Sequence, residues 1–380
     1  MKKNRKKIFF IILSLISIFL LSFLISYNYR YKKNTIQQDT ALNQMDTSNK
    51  IEEAAPAAST PAPVISEVTI SSVGDCTIGS DSKFSYNGSF MQVFQNNNKD
   101  YSYFFKNVSD IFKKDDLTTA NLETTFTNAD VKAEKEFTFK APPDYAKVLT
   151  DASIEGVNIA NNHIRDYLTK GLSDTKQSLK AVGINYFGEG EKWIAEVKGI
   201  KFGFLGYTGF YYDDNFLNNL KKDIQDLKNE GCLVIINFHW GVEGSNYPNN
   251  TQKYLAHYSI DNGADLIIGH HPHVIQGMEF YKDKPIAYSL GNFCFGGNKN
   301  PSDKDTFILQ SNFKFENKKL ISYGIRVIPC SISSVSYKND YCPILLTENK
   351  KDAFLKRINS YSFNLNFKLS DNFHDIAVNN

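Results

Sequence analysis

Seven histidines occur in the 380-residue chain, and three of them, His270, His271 and His273, fall within "IIGHHPHVIQG" (267–277). A turn requires no such density of imidazole, so the run reads as a binding feature. Other groups with metal affinity or proton-transfer chemistry fall at comparable places. Asp75 lies in "SSVGDCTIGSD", Glu123 in "ANLETTF", and Asn161, Asn162 and His163 in "IANNHIRDY". His239 and Glu243 lie in "INFHWGVEG", and Asn292 in "SLGNF". Carboxylates, imidazoles and an amide carbonyl, without a cysteine pair, suit the borderline-hard divalent ions Mn²⁺, Fe²⁺ or Zn²⁺. Such an ion polarises a phosphoryl or carbonyl oxygen and lowers the pKa of a bound water to roughly 7. His163, with an ordinary pKa of about 6.5, suits protonation of a leaving group near neutrality.

Each placement has a plainer reading when taken singly. Asp75 would cap a turn, Glu123 would be a surface charge, the Asn-Asn-His run a polar turn, and His239 a packed core histidine. His257 falls inside a helical pattern and reads as structural or surface. His374 falls in the last residues, read as a tail. Glu243 lines or rims the site mouth.

The elements that would position these groups come next. β-type runs recur at 68–73, 117–122, 156–160, 201–207, 233–238, 265–269 and 285–290. Nearly every candidate ligand follows directly after one of them, and in open α/β sheets ligands bind at the carboxyl ends of the strands. Helical patterns at 169–183, 218–231 and 249–263 alternate with the runs, each ending at a glycine. This alternation predicts an α/β or α+β sandwich with helices covering the sheet faces. Beyond Asn300, "FILQSNFKFENKKLISYGIRVIP" predicts two paired strands around a turn at Glu316–Lys319, and 347–362 predicts a helix capped by Thr347.

Composition bounds the class. Charged residues are ordinary in number, the formal net charge is +2, and no Lys/Arg block outside the N-terminus indicates a nucleic-acid surface. At the start, "MKKNRKK" precedes twenty uncharged residues (8–27). At ~1.5 Å per residue this run spans a hydrocarbon core of roughly 30 Å. It exceeds a signal-peptide core of about 7–15 residues and ends in "SYNYRYKKN" without a small-residue cleavage site. The expectation is a single-pass signal anchor within residues 1–33, with the bulk of the chain outside the cell membrane. Residues 34–66 read as a flexible Pro/Ala/Ser/Thr linker, 67–362 as one folded domain, and 363–380 as a tail. Five cysteines exclude a complete disulfide framework. A Cys330–Cys342 pair and five free thiols both remain open.

The ordered motifs "SVGDCTIGSD", "ANLETTF", "ANNHIRDY", "NFHWGVE", "GADLIIGHHPHVIQGMEFY" and "AYSLGNFCF" resemble those of the CapA-type proteins of poly-γ-glutamate (capsule) synthesis. The resemblance covers about 68–295 and extends more weakly to about 362. It implies a calcineurin-like metallophosphoesterase sandwich, two β-sheets flanked by helices, following the transmembrane segment. It implies a place beside membrane-embedded synthetase and export subunits that polymerise glutamate and export the anionic chain. Asn162 and His163 match the family's Asn-Asn-His motif, in which the Asn binds metal and the His protonates a leaving group. His239 matches a metal-binding histidine. His271 and His273 match the closing His-x-His pair, leaving His270, with Asn161, Glu243 and Asn292, as supporting or substrate-contacting groups. The wider phosphoesterase pattern has Asp-x-His at the first strand end, where this chain reads Asp75-Cys76-Thr77, and a bridging Asp at the second, where Glu123 stands. The metal set is then Asp75, Glu123, Asn162, His239, His271 and His273, for one or two ions.

Two functions follow from these residues. The first is an anchored accessory protein handling poly-γ-glutamate. The alternative is an active divalent-metal-dependent phosphoesterase or amidase acting on a cell-surface polymer. A purely structural stalk would leave the strand-end cluster a coincidence.

Overall fold

The computed structural model describes residues 63–378. The apolar segment 8–27 and the linker up to residue 62 lie outside them. Among the described residues no helix is long and apolar enough to cross a membrane. Ile65 and Ser66, read from sequence as the end of the linker, belong to the first strand, Ile65–Thr77.

Parallel strands buried on both faces need near-continuous apolar or neutral runs, and the β-type runs supply them. All six residues of Leu117–Leu122 are buried, as are the last six of Leu233–His239. In the first sheet, Ile65–Thr77, Leu117–Leu122, Gly156–Asn158 and Asn185–Phe187 lie side by side in parallel. Asp305–Glu316 pairs antiparallel on the other side of Ile65–Thr77, and Lys319–Ser331 pairs antiparallel with it around the predicted turn, Glu316 opposite Lys319. In the second sheet, Ile200–Thr208, Leu233–His239, Leu266–His270 and Lys284–Ala287 are parallel neighbours.

Three apolar cores define the layers. Ile70, Phe202, Phe204, Ile235, Ile268 and Phe307 fill the space between the sheets. Val73, Leu122, Phe90, Leu149 and Leu179 pack the outer face of the first sheet against helices that include Lys147–Asp151 and Leu168–Ala181. Leu220, Ile224, Val234, Ile236 and Leu255 do the same on the second sheet, under helices Asp214–Asn229 and Asn250–Asp261. The order is helix, sheet, sheet, helix. Asp213 caps Asp214–Asn229 by accepting from Phe216 N, and Asn249 with Gln252 forms a full capping box for Asn250–Asp261. Helix Glu348–Tyr361 begins where expected, but Thr347 makes no side-chain cap bond.

One expectation is corrected and one open alternative is decided. Residues 363–378 are not a free tail: Phe363 stacks near Tyr288, Phe367 packs on Phe280, and His374–Ala377 pairs antiparallel with Lys319–Ser331. His374, set aside as a tail residue, stacks on Phe367 with centroids 3.6 Å apart. All five cysteines are free and buried, so Cys330 and Cys342 do not pair.

Candidate metal centre

The carboxyl ends of both sheets converge on one point. Register places Asp75 beside Asn121 and Asn292 in the first sheet, and His239 beside His270 in the second. The pairing of the Asp75 strand is irregular on both sides of Asp75. Such bulges re-aim a side chain next to functional sites. Gly74 permits this approach, since a Cβ there would lie 2.0 Å from the Gly291 carbonyl oxygen.

Asp75 is fully buried; its Oδ1 accepts from Asn121 Nδ2 at 2.8 Å and its Oδ2 from the His271 backbone N–H at 3.1 Å. His273 Nδ1 lies 3.3 Å from Asp75 Oδ2 and 2.9 Å from Asn292 Oδ1, while Asn292 Nδ2 donates to the His273 carbonyl. His239 Nε2 lies 2.8 Å from Asn162 Oδ1, 3.1 Å from His271 Nδ1 and 3.5 Å from Glu123 Oε1. Two oxygens and a second imidazole nitrogen thus crowd one nitrogen. His271 and His273 adopt φ values of +95° and +57°, a left-handed backbone that non-glycine residues hold only when surrounding structure enforces it.

His163 stands at the rim with Nδ1 2.8 Å from Asp166 Oδ2, against the Phe139 ring, and with Nε2 3.9 Å from Glu123 Oε1. Lys135 Nζ donates to Asp166 Oδ1 at 2.7 Å and to the Asn162 carbonyl at 2.8 Å. Asn161 faces inward, donating to Leu122 O and accepting from His163 N. His270 Nε2 lies 3.0 Å from Asn237 Oδ1, while its Nδ1, buried without a hydrogen-bond partner, faces Asp75 Oδ1 at 3.7 Å. Glu243 is exposed, with a carboxylate oxygen within 4.8 Å of nitrogens of His271 and His273.

Burial alone would raise the Asp75 pKa, but the His273 hydrogen bond and neighbouring imidazoles outweigh it and hold the carboxyl well below the usual range. Burial pushes Glu123 well above its ordinary value, against the pull of His273. Burial would lower His273, yet Glu123, Asp75 and Glu243 raise it to about 10. Burial brings His270 and His271 down to about 4, and it lowers His163 against the opposing pull of Asp166. His239 falls well below its ordinary value through burial and then the neighbouring His271. Neutral imidazole is the ligand form, and His239 and His271 are held in it.

The donor set fits a divalent cation. Both Glu123 carboxylate oxygens are buried without a hydrogen-bond partner, an arrangement that is costly for a charged group unless a cation shares the space. Glu123, His239 and His271 present ligand atoms within 4.8 Å of one another, and so do Asp75, Glu123 and His273. Asn121, Asn158, Asn237 and Asp166 are not among the residues singled out from sequence. Asn121 Oδ1 accepts from Asn158 Nδ2 at 2.9 Å and Asn121 Nδ2 reaches both Asp75 and His239. The signal available for the three asparagines is one amide inside each of three buried strand runs.

Fold and site together define a mixed α/β protein, two sheets between helical layers, with a carboxylate–imidazole centre at the strand ends. Residues 69–297 match the family model for the bacterial capsule synthesis protein PGA_cap, and the chain belongs to that family. It is 31% identical over 263 residues to the capsule biosynthesis protein CapA of Bacillus anthracis, covering 62% of this chain and 63% of that one. It is 36% identical over 213 residues to the PGA biosynthesis protein CapA of Bacillus subtilis (strain 168), covering 50% and 56%. The chain thus spans less than two thirds of either relative. The crystal structure of TT1561 from Thermus thermophilus aligns with 64% of this chain and 94% of that one, at a TM-score of 0.39 and 8% identity.

Proposed function

We propose that the chain is an accessory protein of poly-γ-glutamate capsule synthesis whose folded domain is a calcineurin-like metallophosphoesterase sandwich. In this reading residues 8–27 anchor it in the cell membrane with the domain outside, beside the synthetase and export subunits. The observation that carries the site assignment is the buried, unpartnered Glu123 among His163, His239 and His273. Asp75, Glu123 and His273 would hold one divalent ion, and Glu123, Asn162, His239 and His271 a second, with Mn²⁺, Fe²⁺ and Zn²⁺ all compatible with the donor set. Such an ion, when bound, supplies Lewis acidity toward a carboxylate, phosphoryl or amide oxygen. Asn121 fixes Asp75 and His239 relative to each other, while Phe210 and Phe139 cover His271 and His163 and limit water.

A second reading, a working phosphoesterase or amidase, is favoured by one geometric fact. Asp166 holds His163 Nδ1, leaving Nε2 on the side of Glu123 and the cleft. That disposition suits proton donation to a leaving group.

Elemental analysis of the purified full chain beside the His271→Ala/His273→Ala variant tests the centre. One or two divalent ions per chain in the wild type and none in the variant are expected; a wild type that takes up no ion after Mn²⁺ or Zn²⁺ addition sinks it. Capsule polymer on cells carrying His163→Ala separates the two readings. Normal polymer with His163→Ala, alongside loss with His271→Ala, leaves the accessory role and removes the hydrolytic one.

A further inference from the structure

The centre opens into a cleft of about 490 Å³, walled in part by Phe137, Phe139, His163, His273 and Asn292. Phe137, Gly297 and Asn298 also wall a neighbouring cavity of about 450 Å³ whose other sides include Lys83 and Lys299. The two hollows adjoin at these shared residues, and the outer one is flanked by a pair of lysines. Lys299 Nζ donates to Ser85 O, Ser85 Oγ and Asn87 O, each at 2.7 Å. Lys83 Nζ donates to the Glu136 carbonyl, and Lys132 Nζ, on the adjoining loop, to Ser82 Oγ and Thr138 Oγ1 at 3.1 Å. All these acceptors are neutral oxygens. Among the described residues none of the three ammonium groups has a carboxylate oxygen within 4.0 Å, whereas Lys135 on the same loop is neutralised by buried Asp166.

The lysines are therefore held in place while their charge stays uncancelled, which gives the groove wall a standing positive potential. The rings of Phe84, Phe137 and Phe139 pack together at 6.1–6.5 Å, and Phe137 is 41% exposed. The same wall thus offers an apolar face to methylene groups. Asp303 at the groove is paired with Arg357, and Glu243 sits at the centre's end. Asp81, which accepts from the backbone N–H groups of Lys83 and Thr138, and exposed Glu136 lie beside the lysines, but their carboxylates make no ion pair with the ammonium groups. Fixed cations beside an exposed ring fit a chain bearing repeated carboxylates on short aliphatic stems.

We propose that Lys83 and Lys299 form the outer end of a groove that holds an extended polycarboxylate, a γ-linked glutamate chain, and leads it to the centre. This rests on the capsule-synthesis reading and locates the surface on which the polymer lies.

The test is binding of a short fluorescent γ-linked oligoglutamate to the full chain by anisotropy at low and moderate salt. Lys83→Gln/Lys299→Gln is expected to weaken binding about tenfold at low ionic strength and to flatten its salt dependence. Lys83→Arg/Lys299→Arg and the distant Lys222→Gln are expected to bind as wild type does. Should the Gln pair fail to fold, Lys83→Gln alone, on an exposed side chain, is expected to cost about threefold. Equal binding by wild type and the Gln variants overturns the groove and leaves the capsule reading standing. No binding by the wild type overturns both. Tighter, lysine-dependent binding of poly(glycerol phosphate) overturns the carboxylate assignment.

Discussion

Glu123 keeps both carboxylate oxygens out of water and without a hydrogen-bond donor, so in the ion-free protein its charge opposes folding. Glu123→Gln is expected to melt about 3 °C above wild type in the presence of chelator, while losing the upward shift that Mn²⁺ or Zn²⁺ gives the wild type. A variant that melts lower without ions, or still responds to them, sinks this account. His270 gives a pH dependence. Burial holds its pKa at about 4 against an ordinary value of 6.5. The unfolded chain therefore takes up the proton first. The stability His270 contributes is fully present above about 6.5 and is lost as pH falls through about 4. In ion-free melting curves His270→Gln is expected to show a shallower acid limb, and parallel limbs would refute the assignment. The acids and imidazoles of the centre were legible in sequence because each directly follows an apolar run. Asn121, Asn158 and Asn237 were not, since a single amide inside a strand gives no periodic signal. Their role exists only once the strands lie side by side.

At the scale of elements, the strand that delivers Asp75 depends on a close backbone crossing at Gly74. Gly74→Ala is expected to cost about 2–4 kcal/mol and to empty the centre without touching a ligand. Asp213→Ala, which removes the cap of helix Asp214–Asn229, is expected to cost about 1 kcal/mol and to leave ion content unchanged. Urea denaturation with elemental analysis reads both, and normal ion content in Gly74→Ala would contradict the positioning role. The strand and helix runs named from sequence between 117 and 361 were readable because apolar periodicity and glycine stops agreed, and Leu117–Leu122 matches its expected bounds; the short elements Lys147–Asp151, Asn185–Phe187, Trp193–Val197 and Met278–Tyr281 were not, because so few residues give no periodic signal. The segment after residue 362 was not readable. Its apolar residues are spaced among polar ones, and they are covered, Leu369 fully and Leu365, Phe367 and Ile376 in part, only because both sheets and helix Glu348–Tyr361 already present a surface.

For the molecule as a whole, the five thiols are buried and unpaired, and burial pushes Cys76 and Cys342 up to about 12. The native protein is expected to react with no thiol reagent until denatured, then with five equivalents, and to melt at the same temperature with or without reductant. A reductant-dependent melting point would show a disulfide. Stability therefore rests on the three stacked cores, without covalent bracing. The central strand of the first sheet, Ile65–Thr77, lies at the beginning of the domain, yet its antiparallel neighbour is Asp305–Glu316, and Ser71 meets Gln310 across 239 positions. While the chain is being synthesised, that edge stays unpaired until nearly the whole domain has emerged. Early in its life the protein is a growing chain with a sticky β-edge. Its yield in the cell is then set as much by what shields that edge during synthesis as by the strength of the finished cores.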